Sequence, residues 1–167
     1  MFQLKRLSRD GIPSAMAKAE RYRLINQPWA AESICLDVLE ADPQNQEALV
    51  LLLLSLTDQF DKGPAAGVTR AREVLARIRD EYKRTYYAGI ICERRAKAQL
   101  ALGGQGAEGA AYHWFREAMT WYEKAEGTRP SGNDEALLRW NTCARILMQN
   151  PEIAPKAEDA FLPVLGE

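Results

Sequence analysis

The only histidine in the chain, His113, stands one helical turn before an acid, Glu117. A histidine and a carboxylate four residues apart lie on the same face of a helix, where they can act together as general acid and base. A catalytic histidine needs further partners that shift its pKa, and its neighbours Trp114 and Phe115 do not supply them. We therefore expect a partly exposed surface histidine.

The other residues with metal or redox chemistry are widely spaced. Cys35, Cys92 and Cys143 are more than fifty residues apart, which predicts neither a disulfide framework nor a zinc site. Each falls in an apolar helical pattern, which favours a reduced, buried thiol in a cytosolic protein. Asp58 and Asp61 lack the alternating ligands and the glycine of a calcium loop, so we interpret them as solvated acids at a helix end. We expect no metal and no cofactor.

A glycine-rich stretch, residues 103–109, is the one candidate for a phosphate-binding loop. It contains four glycines, but no Lys-Ser or Lys-Thr follows it and no strand precedes it. We interpret it as a turn between two helices. No residue pattern supports catalysis, and the sequence predicts that the protein is not an enzyme.

The composition is typical of one soluble domain: 167 residues, 47% hydrophobic and 27% charged. The formal net charge of −1 argues against a dedicated nucleic-acid-binding protein. The longest apolar run, Ala48 to Leu54, has seven residues, whereas a membrane span needs roughly 20. No apolar segment of a secretory signal follows the first basic residues. These features predict a cytoplasmic protein without a membrane partner.

Apolar residues recur along the chain with helical spacing, whereas alternation typical of strands is absent. Proline, glycine and Asp/Asn residues separate the apolar stripes and mark the helix ends. The predicted fold is all-α and forms a single domain over 1–167. We expect seven helices at 13–25, 28–41, 44–58, 64–81, 83–102, 108–126 and 133–148. A weak eighth helix is predicted near 155–162. Because the connections are short, we expect helical hairpins at about 13–41, 44–81, 83–126 and 133–165.

Two segments share a spacing of small, apolar and proline residues. Ala31, Cys35, Val38 and Pro43 are separated by 4, 3 and 5 residues, and the same intervals separate Ala118, Tyr122, Ala125 and Pro130. Residues 12–45, with Ala15, Ala19 and Tyr22 in the first helix, resemble the tetratricopeptide repeat. The resemblance implies a solenoid of stacked hairpins with a concave face, and a non-catalytic scaffold or adaptor that holds a protein or peptide partner.

In such a stack, the first helix of each hairpin lines the concave side. Its non-core stripe is then the candidate partner-binding surface, formed by Met16, Glu20, Arg23, Val50, Leu54, Arg139, Asn141 and Arg145. Val50 and Leu54 are unusually apolar for a surface, so they would either bind an apolar side chain or be covered. Asn141 and Arg145 have an equally simple interpretation as solvated polar residues.

Charge is distributed in alternating blocks. Residues 25–61 carry a net charge of −7 and residues 62–97 carry +6. The alternative hypothesis is therefore that helices within 64–97 bind nucleic acid or an acidic partner, although the neutral total makes nucleic acid the weaker choice. Three other interpretations also stay open. The charged patches could mediate self-association, or the charges of adjacent helices could offset one another. The protein could also be a helical enzyme whose site consists of ordinary acids and arginines. The basic side chains in question are Arg70, Arg72, Arg77, Arg79, Lys83, Arg84, Arg94, Arg95 and Lys97.

Overall fold

The computed structural model describes residues 2–62 and 64–155, and in that part of the chain every regular element is helical. Three short 3-10 helices lie at Arg9–Gly11, Phe60–Lys62 and Pro151–Ile153. This confirms the all-α prediction. None of the helices in the described ranges has the length and apolarity of a membrane span. The α-helices are α1 (Ile12–Leu24), α2 (Pro28–Ala41), α3 (Gln46–Thr57), α4 (Pro64–Ala76), α5 (Glu81–Leu102), α6 (Ala107–Gly127) and α7 (Glu135–Gln149).

Local caps explain where the helices begin. Pro28 occupies the first position of α2, where a missing N–H costs nothing. Asn45 caps α3 by accepting a hydrogen bond from the backbone N–H of Ala48 at 2.9 Å. Asp80 caps α5 in the same way, accepting from the N–H of Lys83 at 2.7 Å. This cap places the break at residues 77–80, so the predicted helix over 64–81 is too long by five residues.

The predicted turn in the glycine-rich stretch lies at residues 103–106, and residues 107–109 of the stretch are helical. Gly103, Gly104 and Gly106 have φ angles of 66°, 98° and 76°, in the left-handed region that glycine tolerates best. α6 begins directly afterwards at Ala107. The predicted eighth helix near 155–162 lies almost entirely outside the described residues.

Each α-helix packs against the next one along the chain, and the alternate helices α1 and α3, and α3 and α5, also touch. Buried side chains form one apolar cluster that involves α1 to α4 and a second that involves α5 to α7. α5 belongs to both, with Ile91 and Ala98 in the first cluster and Ile90 and Ala96 in the second. The 22-residue helix α5 therefore joins the two halves of the core.

Candidate functional site

A groove of about 740 Å³ lies between α1, α3 and the first turns of α5. It is lined by all five candidate residues of the first two hairpins: Met16, Glu20 and Arg23 from α1, and Val50 and Leu54 from α3. α5 adds Lys83 and Tyr87 to the lining. The structure therefore brings together candidate residues that are up to 38 positions apart in sequence, from Met16 to Leu54.

The floor of the groove is apolar because α3 is apolar on every face. Leu49 and Leu53 of this helix are fully buried in the first core cluster. Val50 and Leu54 are half-buried, and they pack partly against the first and the second core cluster, respectively. No segment of the described chain closes the groove over them. In the described structure the two side chains of this stripe are therefore neither fully covered nor fully exposed.

An ion-pair cluster lies beside the groove and fixes the three helices that form it. Arg23 donates from Nε to Asp58 at 2.6 Å, and Arg94 of α5 pairs with the same carboxylate. The Asp58 side chain is only 15% exposed. The interpretation of Asp58 as a solvated acid is therefore wrong, whereas Asp61 is exposed as expected. Because one carboxylate joins α1, α3 and α5, it fixes the relative positions of the groove walls.

The three candidate residues of α7 lie elsewhere. The guanidinium of Arg139 contacts the carboxylate of Glu93 at 3.3 Å. Asn141 lines a separate hollow of about 310 Å³ with Trp140 and Glu126, and Arg145 is exposed. None of the three lines the groove between α1, α3 and α5. The stripe predicted across three hairpins is continuous only over the first two, and α5 supplies the third wall.

Glu93 is the one charged residue that is completely buried in the described chain. Tyr122 of α6 donates its hydroxyl to Oε2 at 2.7 Å, while Lys97 and Arg139 pair with Oε1. Burial alone would raise the pKa of this carboxyl, but hydrogen bonds from Lys97 and Tyr122 and the charges of Lys97 and Arg139 outweigh it. The pKa of Glu93 is therefore lowered from its ordinary value, and the ionised carboxylate holds α5, α6 and α7 together.

This pKa shift predicts acid sensitivity. A carboxyl whose pKa is lower in the folded state stabilises the fold above its unfolded pKa of about 4.3, and that contribution is lost as pH falls through the folded pKa. We expect the free energy of unfolding to decrease between about pH 5 and pH 3. The decrease should be smaller in Glu93→Gln, which cannot ionise. Urea titrations of both proteins across that range measure the difference, and parallel pH profiles would contradict the role of Glu93.

The sequence contains a signal for Glu93 that pattern analysis of α5 missed. Tyr82, Tyr86 and Glu93 follow a spacing of 4 and 7 residues along one helix face, and Gly89 lies on the same face. An acid on an apolar stripe indicates a buried, paired charge. Its partners on α6 and α7 come from distant sequence, so the pairing itself could be found only in the structure.

Most of the basic side chains between residues 64 and 97 bind other parts of the chain. Arg70 pairs with Glu32, Arg94 with Asp58 and Lys97 with Glu93. Three more donate to backbone or amide oxygens: Arg77 to Pro43 at 2.7 Å, Arg79 to Gln44 at 2.7 Å and Arg84 to Ile78 at 2.8 Å. The carboxylates of Glu32 and Asp58 offset two of the six net positive charges of this block, whereas the contacts to backbone and amide oxygens leave its charge unchanged.

Residues with catalytic or metal chemistry are not grouped in the described part of the chain. No cluster of three His, Cys, Asp or Glu side chains that could hold a metal occurs there. His113 is exposed, as predicted. Cys35, Cys92 and Cys143 are free and buried, and burial is the main cause that raises the pKa of each thiol to about 12.

These thiols should react slowly. Because the thiolate is the nucleophile, a buried thiol with a pKa near 12 is almost fully protonated and unreactive at pH 7.5. We expect a chromogenic disulfide reagent to label fewer than one thiol per folded chain within minutes and all three after unfolding. Rapid labelling of two or more thiols in the folded protein would contradict this burial.

Comparison with protein-family models, with curated proteins and with solved structures found no match to this chain.

Proposed function

We propose that this protein is a non-catalytic interaction module whose groove between α1, α3 and α5 holds a segment of a protein partner. The observation that carries the proposal is the half-buried apolar pair Val50 and Leu54, on a groove that no described segment covers. Open apolar surface costs free energy in water, and patches that persist on folded proteins are frequently binding sites.

The proposal includes a tetratricopeptide-like stack of hairpins. Two features support it: α1, α3 and α5 touch in succession, and the segment over 12–45 has the spacing of small residues described above. In that arrangement the alternate helices form the concave side, where an extended peptide lies across them. Met16 and Val50 would contact an apolar side chain of the partner, while Glu20 and Lys83 would contact its polar groups.

A peptide selection followed by one pair of variants tests this function. A library of random peptides displayed on phage is selected on the immobilised full-length protein, and the enriched peptides are synthesised for affinity measurements. Val50→Lys places a charge on the groove floor, whereas the matched control Leu138→Lys changes an α7 side chain that is 60% exposed and is not part of the groove lining.

We expect Val50→Lys to weaken binding at least tenfold, about 1.4 kcal/mol, and Leu138→Lys to leave affinity unchanged. Circular dichroism of both variants verifies that the helices are intact. The proposal fails if no peptide is enriched, or if the selected peptides bind Val50→Lys as tightly as the unaltered protein.

A further inference from the structure

Two guanidinium groups of the basic block differ from the six basic side chains with partners described above. Arg72 of α4 and Arg95 of α5 make no ion pair within the described residues. Instead both lie against the indole of Trp114, with Cζ at 5.9 Å and 4.7 Å from the ring centroid. Two positive charges thus lie against one aromatic ring, and Glu117, which lines the same cleft as Arg72, forms an ion pair with neither.

Arg95 also carries the one orphaned donor found in the described structure. Its Nε atom is buried and has no hydrogen-bond acceptor. Nearly all buried donors in folded proteins have partners, and an unsatisfied one indicates an absent water, ion or ligand. An acceptor that reached this nitrogen would satisfy the donor.

An open cleft of about 400 Å³ runs between α4, α5 and α6, with Arg72 and Arg84 on its lining. Arg95 and Trp114 are not lining residues, and Arg95 is linked to the cleft through the indole that it shares with Arg72. Its lining is mainly apolar, with Leu75, Ala88, Ile91 and Trp121. One carboxylate, Glu117, lies on the lining, and it forms no ion pair with an arginine in the described chain. The volume is within the roughly 300–1,000 Å³ range of small-molecule sites, and apolar walls with a few polar groups are typical of them.

We propose that Arg72 and Arg95 bind the anionic head of a small amphipathic ligand, a carboxylate or phosphate monoester, whose apolar body lies in this cleft. The planar fork of a guanidinium matches the oxygens of either head group, and the indole of Trp114 holds both arginines in place. The site shares no lining residue with the groove between α1, α3 and α5 and is independent of it.

Titration of the full-length protein with octanoate, octyl phosphate and octanol tests the site. The indole N–H signals of Trp114 and Trp121 report binding by nuclear magnetic resonance. We expect both anions to shift these signals and octanol, which has the same chain without the charge, to bind at least tenfold more weakly. The head group that binds more tightly identifies the natural ligand class.

Variants assign the binding to the two arginines. Arg72→Gln with Arg95→Gln should raise the Kd for the anions at least tenfold, as two charge-assisted contacts are lost. Arg72→Gln alone changes an exposed side chain and keeps the test valid if the double variant unfolds. Arg145→Gln, at an exposed arginine of α7, is the matched control. Absence of anion binding, equal binding of octanol, or an unchanged Kd in Arg72→Gln would overturn the proposal.

Discussion

Replacing Glu93 with alanine is expected to destabilise the fold by about 1–3 kcal/mol, the usual cost of leaving a buried polar group without its hydrogen-bond partner. The substitution leaves the hydroxyl of Tyr122, which is completely buried, without its acceptor at 2.7 Å. It also removes the anion that Lys97 and Arg139 share. Since these contacts join α5, α6 and α7, the whole second half of the core depends on them.

Urea unfolding followed by circular dichroism measures this loss. Glu73→Ala is the matched control, because Glu73 is an exposed acid on α4 and its removal should change the free energy of unfolding by less than about 0.5 kcal/mol. Glu93→Gln should lie between the two, since it keeps the shape but loses the charge. A loss below about 1 kcal/mol in Glu93→Ala would show that the buried carboxylate does not stabilise the helix junction.

A single methyl group at Gly89 is expected to destabilise the protein by about 1–3 kcal/mol. A Cβ atom there would lie 2.5 Å from Cε1 of Tyr122 and 2.7 Å from Cδ1. The tyrosine ring cannot withdraw, because it is fully buried and its hydroxyl is bonded to Glu93. α5 and α6 would have to separate, which would weaken the packing of these two helices around Tyr122.

Gly109→Ala makes the same chemical change in an open position and provides the control. No atom lies within 4 Å of a Cβ at Gly109, which is in the first turn of α6. Alanine favours the helix by up to about 1 kcal/mol over glycine, so this variant should be as stable as the original or more stable. Thermal unfolding compares the pair, and equal melting temperatures for Gly89→Ala and Gly109→Ala would contradict the close packing of α5 on Tyr122.

Local signals in the sequence predicted most of the fold. Pro28 and the run of glycines at 103–106 mark helix boundaries through their own backbone preferences, and the structure agrees with both. The break before α5 is harder to predict, because the helical spacing of Leu75, Ile78 and Tyr82 continues across the residues where Asp80 caps the new helix. The repeat pattern places Met16 and Val50 outside the core stripe, and in the structure both are half-buried on the groove lining.

Contacts between distant segments could not be predicted in the same way. The sequence predicts a solvated acid at Asp58 because its partners, Arg23 and Arg94, are 35 and 36 residues away. The third wall of the groove comes from Lys83 and Tyr87 of α5, although the repeat pattern indicated α7. A repeat pattern predicts well which helix packs against the next one along the chain. It does not predict over how many successive hairpins the first helices continue to line one groove.

Nuclear magnetic resonance of methyl-labelled protein with a peptide from the selection tests the groove most directly. The methyl groups of Val50, Leu51 and Leu54 line the groove, whereas those of Leu138 on α7 and Leu75 in the cleft between α4 and α6 do not. We predict that the peptide shifts the first three signals and leaves the other two in place. Shifts concentrated at Leu75 or Leu138, with Val50 and Leu54 unchanged, would contradict the groove as the binding site.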